Sequence, residues 1–339
     1  MKAAVIGAGM IGYYHAHGLK QAGADIIAIA DPVKELRDKV ADEFGIPLRV
    51  KDYRDLLNEE IDFITVGTPN NLHRSITVDF LKAGKHVICE KPMARNLQEA
   101  DDMLEAAEEY GRMLFVAHNH RFIPQYRLVG KLIKEGEIGR PFMVIGTFIG
   151  DEYSRMNDPE NWKGTWEGSG GGVTIDNGAH MIDIFRSWFG EVKAVTAVMG
   201  TLAIDAYSKA EDTSNLSIEF ENGILASLTL TFGARYNTWP DNYIGVAIRT
   251  EILGMEGAIQ VGTLIPDITI IDRKGEVKRL NSSEIQADVP VNQFTHFMDC
   301  MTNGSEPIIT AKDARAALAI IMAAYKSAKE KRRVLLSEI

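Results

Sequence analysis

The first 120 residues alternate short apolar runs with longer segments of helical periodicity. Short, largely apolar runs are typical of parallel strands that are covered on both faces by helices. A helix over residues 96–110 is the clearest of the helical segments, because Asn96 and Glu99 have capping-box spacing and Gly111 follows. The pattern predicts βαβ units around a parallel sheet. The predicted strands are 3–6, 25–30, 63–66, 86–89 and 113–117.

From about residue 121 the pattern changes to longer runs in which apolar and polar residues alternate. Such runs predict a mixed or antiparallel sheet, with Glu221-Asn222-Gly223 as a hairpin turn. One helix is predicted at 174–189 and a terminal helix at 312–331. The predicted strands are 142–149, 192–199, 215–220, 224–232, 245–253 and 268–272. We therefore expect an α/β domain over residues 1–121 and an α+β domain with a large, mostly antiparallel sheet over 122–339, with the terminal helix able to pack back on the first domain.

A glycine-rich segment, Gly7-Ala8-Gly9-Met10-Ile11-Gly12, follows the first strand directly and opens a helical segment. In this context the spacing is the dinucleotide-binding fingerprint of a Rossmann domain, a doubly wound parallel sheet. Asp31 ends the second strand 19 residues after Gly12, where a carboxylate accepts from ribose hydroxyls and repels a 2′-phosphate. The sequence favours NAD over NADP. A ligand-free glycine turn, with Asp31 capping the next helix, is the alternative.

Polar residues follow the later strands of the same predicted sheet: Thr68-Pro69-Asn70, Glu90-Lys91-Pro92 and Asn119. The carboxyl ends of parallel strands face the ligand crevice, so these segments are expected near the cofactor. His73, on the helix after Thr68, is placed on the cofactor side as well. The predicted cofactor residues are Gly7, Gly9, Met10, Ile11, Gly12, Asp31, Thr68, Asn70, His73, Glu90, Lys91 and Asn119.

The composition of the chain limits the kinds of molecule that it is expected to bind. The chain has 47 acidic against 37 basic residues and a formal charge of −10, so it repels a nucleic-acid backbone. Its two cysteines lack metal-ligand spacing and make no disulfide framework, which favours the cytoplasm. No histidine pair has a cysteine or carboxylate at ligand spacing, and no apolar run reaches the roughly 18 residues of a membrane span. We expect no nucleic acid, no membrane and no metal.

Several motifs occur in the order found in one oxidoreductase family. The glycine fingerprint, the segment from Thr68 to His73 and Glu90-Lys91-Pro92 come first. They are followed by Arg121-Phe122-Ile123-Pro124, Gly136-Glu137-Ile138-Gly139 and a glycine run that leads into Asp176-Asn177-Gly178-Ala179-His180. Over essentially its whole length the chain resembles the glucose-fructose oxidoreductase, inositol dehydrogenase and rhizopine-catabolism (Gfo/Idh/MocA) family. The resemblance implies that Lys91, Asp176 and His180 are the catalytic set.

The spacing of the acidic residues and the histidine gives an independent reason. Asp176 and His180 are four residues apart and Asp183 follows three later, so all three share one helix face. Oxidation of a secondary alcohol needs a base of near-neutral pKa, which fits His180. Asp176 would orient that base or hold the hydroxyl, while Lys91 stabilises the alkoxide and relays the proton. The alternatives are a surface ion pair for Asp176 and His180, and a cap or salt bridge for Glu90 and Lys91.

The segment 151–172 is predicted to be a long loop that walls or covers the substrate pocket. Trp162 or Trp166 would stack on a sugar ring there, or else pack between the domains. A second wall is placed at 236–243. The predicted substrate residues are Lys91, Arg121, Asn161, Trp162, Asp176, His180 and Asp183.

The resemblance implies an NAD-dependent dehydrogenase that oxidises a secondary hydroxyl of a cyclitol or sugar, with that polyol as its partner. It also implies a homodimer or homotetramer. Two other functions occur among such proteins: an NAD-using glycosidase without net redox change, and a non-catalytic NAD-binding sensor. Retention of Lys91, Asp176 and His180 favours the dehydrogenase.

Overall fold

The computed structural model describes residues 1–204, 209–234, 247–262, 265–281 and 292–339. The chain forms two compact units. One comprises Met1–Asn119 with Val291–Arg315, and the other His120–Pro290 with Ala316–Ile339. The chain first passes from one unit to the other between Asn119 and His120, two residues before the predicted domain boundary between 121 and 122. The first unit also includes a segment from near the C-terminus that the sequence pattern placed in the second domain.

A parallel sheet forms the centre of the first unit. Its strands are β1 (Lys2–Ile6), β2 (Asp25–Ala30), β3 (Leu48–Val50), β4 (Phe63–Val66), β5 (His86–Glu90) and β6 (Leu114–Ala117). They lie in the order β3-β2-β1-β4-β5-β6, with every pair parallel. This is the strand order of a doubly wound dinucleotide-binding domain. The predicted sheet is confirmed, with β3 added.

Helices connect these strands, as the periodicity predicts. They are α1 (Met10–Gln21), α2 (Lys34–Phe44), α3 (Asn70–Lys82) and α4 (Leu97–Glu109). The Asn96 side chain caps α4 by accepting from the backbone N–H of Glu99 at 3.0 Å. The Glu99 carboxylate accepts from the backbone N–H of Arg95 at 3.0 Å. A capping box would use the N–H of the N-cap residue, Asn96, which is one residue later. The predicted start of the helix is confirmed.

The second unit contains a nine-stranded sheet. Its strands are β7 (Pro141–Ile149), β8 (Val192–Gly200), β9 (Thr213–Phe220), β10 (Leu225–Thr231), β11 (Ala247–Gly254), β12 (Gly257–Gly262), β13 (Ile265–Asp272), β14 (Val277–Leu280) and β15 (Val334–Leu335). The order is β14-β13-β12-β11-β7-β10-β9-β8-β15. All pairs are antiparallel except β7 with β10. The predicted sheet and its hairpin at 221–223 are confirmed.

The other α-helices of the described residues are α5 (Pro124–Glu135), α6 (Tyr153–Met156), α7 (Trp166–Ser169), α8 (Val173–Phe189), α9 (Gln293–Asn303) and α10 (Ala311–Glu330). Helix α8 packs on the sheet of the second unit, where Phe185 approaches the backbone of Gly146 on β7 so closely that a Cβ there would lie 2.6 Å from the ring. In the first unit, Phe294 of α9 covers Gly18 of α1. Phe297 stacks on Phe115 of β6 with ring centroids 4.7 Å apart.

The prediction of a long loop without secondary structure at 151–172 is wrong. The segment contains α6, a 3-10 turn at Trp162–Gly164 and α7. Polar side chains begin two of these turns: Asn161 accepts from the N–H of Lys163, and Thr165 accepts from that of Gly168. Such caps satisfy the free N–H groups of very short helices, whose length leaves no periodic apolar pattern to detect. The predicted second wall at 236–243 lies outside the described residues.

The described part of the chain includes no helix both long and apolar enough to cross a membrane. Cys89 and Cys300 are buried free thiols. They form no disulfide, in agreement with the sequence analysis.

Candidate active site

The glycine loop joins β1 to α1 in the first unit. The N–H of Gly7 donates to the carbonyl of Ala30 at 2.9 Å, and Gly9 is the N-cap of α1 without a side-chain cap. A Cβ at Gly12 would lie 1.8 Å from the carbonyl oxygen of Gly7, whereas one at Gly9 would meet no atom within 4 Å. Gly12 thus permits close packing of helix and loop. Gly9 leaves room where a pyrophosphate would reach the N–H groups that begin the helix. The loop fits a dinucleotide.

The Asp31 carboxylate accepts hydrogen bonds from the backbone of two segments, the glycine loop and the start of α2. One carboxylate oxygen accepts from the N–H of Ala8 at 2.6 Å and the other from that of Val33 at 2.7 Å. Each carboxylate oxygen has a further lone pair, with which it can accept from a ribose hydroxyl. Val33 is the N-cap residue of α2, so Asp31 also orders the start of that helix. The ribose contact stays a prediction.

His73 joins the two turns that follow β4 and β5. Its Nδ1 lies 2.9 Å from the carbonyl oxygen of Pro92, and its Nε2 lies 3.0 Å from that of Thr68. The ring is buried, and burial lowers its pKa. These contacts indicate that His73 holds the two turns together. Its direct contact with the cofactor stays a prediction.

Glu90 and His15 form a buried pair beside the turn that carries Lys91. Nε2 of His15 lies 3.1 Å from Oε1 of Glu90, and Oε2 accepts from the backbone N–H of Lys91 at 2.9 Å. Burial alone would raise the pKa of Glu90, but the hydrogen bond to His15 and the neighbouring Lys91 hold it below its usual value. Glu90 therefore anchors the backbone at Lys91. Sequence reasoning missed His15 because its partner is 75 residues away.

The other predicted cofactor residues lie around the same loops. Met10 and Ile11 begin α1, Asn70 is the first residue of α3, and Asn119 opens a 3-10 turn after β6. Asn70 is buried, whereas Met10 is exposed. In the described ranges, no group of three or more His, Cys, Asp or Glu side chains is arranged to hold a metal ion.

Asp176 is held by a lysine in the second unit. Nζ of Lys163 lies 2.7 Å from Asp176 and 3.7 Å from Glu152. Burial alone would lower the pKa of Lys163, but Asp176 and Glu152 raise it, so its ammonium form is stabilised. Lys163 is a functional candidate that sequence reasoning missed. It lies in a short turn 13 residues before Asp176, with no periodic relation to α8.

His180 is stacked on a second histidine. The rings of His180 and His120 are 4.1 Å apart at an interplanar angle of 16°, and both residues are buried. Phe148 lies 6.4 Å from each ring, and Tyr126 stacks on His120 at 5.5 Å. The stack fixes the plane of the His180 ring. The sequence pattern assigned His120 no part in the site.

Asp183 and Arg121, both predicted to bind substrate, bind each other. Nε and Nη2 of Arg121 donate to the two oxygens of Asp183 at 2.6 and 2.9 Å. The Asp183 side chain has no solvent exposure and that of Arg121 only 13%. Asp183 lies on α8 three residues after His180, but it is more deeply buried than His180. The substrate contacts of the pair stay predictions that the geometry does not favour.

The aromatic residues of the segment 151–172 differ in their surroundings. Trp162 begins a 3-10 turn that Asn161 caps, and both are partly exposed. The indole N–H of Trp166 donates to the carbonyl of Lys209 at 2.8 Å, and its ring meets Tyr325 edge-on at 4.8 Å. These contacts hold Trp166 within the second unit, but the residue is still 46% exposed, so Trp162 and Trp166 both stay candidates for stacking on a sugar.

Comparisons with known proteins agree with both units. A family model described as "Oxidoreductase family, NAD-binding Rossmann fold" matches residues 1–118, and one described as "GFO/IDH/MocA C-terminal domain" matches residues 126–260. The scyllo-inositol 2-dehydrogenase (NAD(+)) of Bacillus subtilis (strain 168) is 30% identical over 342 residues, which cover 96% of this chain and 94% of that protein. The myo-inositol 2-dehydrogenase of Thermotoga maritima is 27% identical over 354 residues, covering 100% and 99%. Levoglucosan dehydrogenase, solved in complex with NADH and levoglucosan, has a TM-score of 0.88 at 25% identity, with 99% of each chain covered.

Proposed function

We propose a function for this chain on the basis of its family, since it belongs to the Gfo/Idh/MocA family of oxidoreductases. It oxidises a secondary hydroxyl of a sugar or cyclitol, with NAD as the hydride acceptor. The protein is an oxidoreductase of CH–OH groups with an NAD-binding Rossmann domain. The observation that carries the proposal is the arrangement on α8, where a lysine-bound carboxylate, Asp176, lies one helical turn from the stacked His180. Inositol and levoglucosan dehydrogenases among the relatives support a polyhydroxylated substrate.

Each proposed role follows from a side chain and its surroundings. When bound, NAD supplies the nicotinamide that accepts the hydride. His180 removes the hydroxyl proton, because imidazole is the side chain whose basicity suits neutral pH. Asp176, oriented by Lys163, accepts from a substrate hydroxyl. Lys91, whose backbone N–H is bonded to Glu90, stabilises the alkoxide as the proton leaves.

Activity with purified protein tests the proposal. NADH formation would be followed by absorbance with NAD or NADP and a panel of inositols, aldoses, levoglucosan and glycosides. We expect turnover with at least one cyclitol or sugar and NAD. Glycoside cleavage without net NADH formation would instead support the glycosidase alternative, and NAD binding with no reaction on any compound would contradict the dehydrogenase.

Substitutions test the assigned residues. Lys91→Ala and His180→Ala should each lower kcat by about a hundredfold or more while NAD affinity changes little. Lys85→Ala is the control for Lys91, because Lys85 lies at the opposite end of the same strand, where its Nζ donates to the carbonyl of Glu59. It should keep kcat within about twofold. Normal turnover in the Lys91 and His180 variants would remove their proposed roles.

The cofactor preference has its own test. Asp31→Ala removes the carboxylate that would bind the ribose hydroxyls and repel a 2′-phosphate. The ratio of NAD to NADP affinity, measured by titration calorimetry, should fall by about tenfold or more. An unchanged ratio, with folding intact, would refute the ribose assignment.

We further propose that the chain is a homodimer or homotetramer, as the family resemblance implies. Ile145 on β7 and Leu225 on β10 support this, since both are large apolar side chains exposed on adjacent strands of the nine-stranded sheet. Sedimentation velocity measures the assembly. A monomer across the micromolar range would contradict it.

A further inference from the structure

The helix that carries Asp176 and His180 begins without a local cap. Its N-cap residue is Gly172, which has no side chain to accept from the first N–H groups of the helix. A distant residue takes that place. The N–H of Gly172 donates to Oε2 of Glu211 at 2.9 Å and the N–H of Thr174 to Oε1 at 3.0 Å. The N–H of Val173, between them, donates to the backbone carbonyl of Glu211 at 2.9 Å. One residue therefore binds three successive N–H groups at the start of α8.

Glu211 is itself held from a second direction. The hydroxyl of Tyr325 on α10 donates to Oε1 of Glu211 at 2.9 Å, and Trp166 packs edge-on against the Tyr325 ring. Glu211 is only 5% exposed, and burial raises the pKa values of both Glu211 and Tyr325. The carboxyl group is thus fixed between α10 and the start of α8, with water largely excluded.

The glycine run before α8 is explained by the same contact. A Cβ on Gly172 would lie 1.7 Å from the carbonyl oxygen of Glu211, so any other residue would push the two backbones apart. A Cβ on Gly171 would lie 1.9 Å from the hydroxyl of Tyr325. The run thus allows Glu211 and Tyr325 to approach the backbone directly.

Two residues after Thr174 comes Asp176, whose N–H donates to the carbonyl of Gly172 at 3.1 Å. His180 follows one turn later on the same face. A change in the position of Gly172 would therefore be transmitted to both side chains through the helix. We infer that Glu211 is a positioning residue for Asp176 and His180, an inference that rests on the proposed function of this pair.

The chain offers a matched control in the next residue. Asp212 is buried as well, with no solvent exposure, and its carboxylate accepts from the N–H groups of Leu202, Ala203 and Ile204 at 2.7–3.0 Å. It therefore caps backbone N–H groups as Glu211 does, but in a different segment. Loss of this cap should lower stability without displacing the start of α8.

The test compares Glu211→Gln with Asp212→Asn in the full-length protein. An amide keeps the shape of the carboxyl group, but its NH₂ faces one of the N–H groups that the carboxyl oxygen accepted from. Hydrogen–deuterium exchange of peptides spanning residues 172–182 should accelerate in Glu211→Gln and stay near wild type in Asp212→Asn. With a sugar or cyclitol that the wild type oxidises, kcat should fall about tenfold to a hundredfold in Glu211→Gln, because misplacement by about 1 Å has that effect. NAD affinity should be unchanged, and Asp212→Asn should keep kcat within about threefold.

Unchanged exchange over residues 172–182 in Glu211→Gln would overturn the inference at once. Equal losses of kcat in the two variants would also overturn it, since a general loss of stability would then explain both. If the wild type oxidises nothing in the sugar panel, the proposed function fails, and exchange still decides whether Glu211 holds the start of α8. Faster exchange there together with a selective loss of kcat supports the inference.

Discussion

Asp183→Asn separates a role in the fold from a role in substrate binding. The Asp183 carboxylate has no solvent exposure and receives two hydrogen bonds of 2.6 and 2.9 Å from Arg121, itself 13% exposed. Breaking a buried ion pair by neutralising one partner costs about 3–5 kcal/mol, because the remaining charge stays buried without its counter-ion. Asparagine keeps one acceptor for the guanidinium, so we expect the lower end, about 3 kcal/mol. For a unit of about 200 residues this lowers Tm by roughly 6–12 °C.

Thermal unfolding followed by calorimetry measures the loss, and Glu191→Gln is the matched control. Glu191 pairs with Arg186 near the end of the same helix, but its side chain is 65% exposed, so its loss should cost less than about 1 kcal/mol. With sugar substrate, KM of Asp183→Asn at a temperature where the variant is folded should stay near the wild-type value. A variant as stable as Glu191→Gln with a strongly raised KM would refute this reasoning, and would place Asp183 on the substrate.

Three further predictions concern other parts of the site. Gly9→Ala should leave Tm unchanged, because its Cβ would meet no protein atom within 4 Å. The same variant should bind NAD about tenfold or more weakly in titration calorimetry. A normal NAD affinity would show that NAD does not approach the loop at Gly9. Lys163→Gln should lower kcat/KM and should also lower the free energy of unfolding by about 1–3 kcal/mol. Lys163→Arg retains the positive charge beside Asp176, so it should lose less kcat/KM in activity assays and less unfolding free energy in urea titrations. Burial raises the pKa of Glu211, so the folded protein binds this proton more tightly than the unfolded chain; its stabilising contribution is present below pH ~4.3 and is lost as pH rises through the folded pKa. The unfolding free energy of wild type relative to Glu211→Gln, measured by urea titration, should therefore fall from pH 4 to pH 7, and a rise would contradict the assigned direction.

The sequence predicted best those strands that are buried on both faces. The described bounds of β2 and β4 coincide with the predicted ones, because covered parallel strands leave uninterrupted apolar runs. Strand β3 has three residues that are largely exposed, and β14 has four. Neither strand contains an apolar run. Pairing with a neighbouring strand defines these elements, and backbone pairing leaves little trace in the side-chain pattern.

The candidate site shows the same limit at the level of single residues. Local motifs located the glycine loop and the helix that carries Asp176 and His180, because both depend on spacing within one segment. The partners of these segments come from far along the chain. Glu211 reaches α8 across 37–39 residues, and Arg121 reaches Asp183 across 62. Such pairs depend on tertiary packing, and neither periodicity nor motif spacing reports it.

Helix periodicity also predicts which face of a helix a residue lies on, but it does not predict how deeply the side chain is buried. The three carboxyl groups around α8 differ in burial. Asp176 is partly exposed, and its cation, Lys163, is partly exposed as well. Asp183 is fully enclosed with Arg121, and Glu211 is buried against the N–H groups that begin the helix. Asp176 is the most exposed of the three carboxyl groups and is therefore the one best suited to contact a substrate, whereas the other two are suited to holding the helix. Isosteric amide substitutions should accordingly fall into two classes. Asp176→Asn should lower kcat with a smaller loss of Tm than Asp183→Asn, because Lys163 is partly exposed and keeps Glu152 as a counter-ion, while Asp183→Asn should lower Tm with little change in KM.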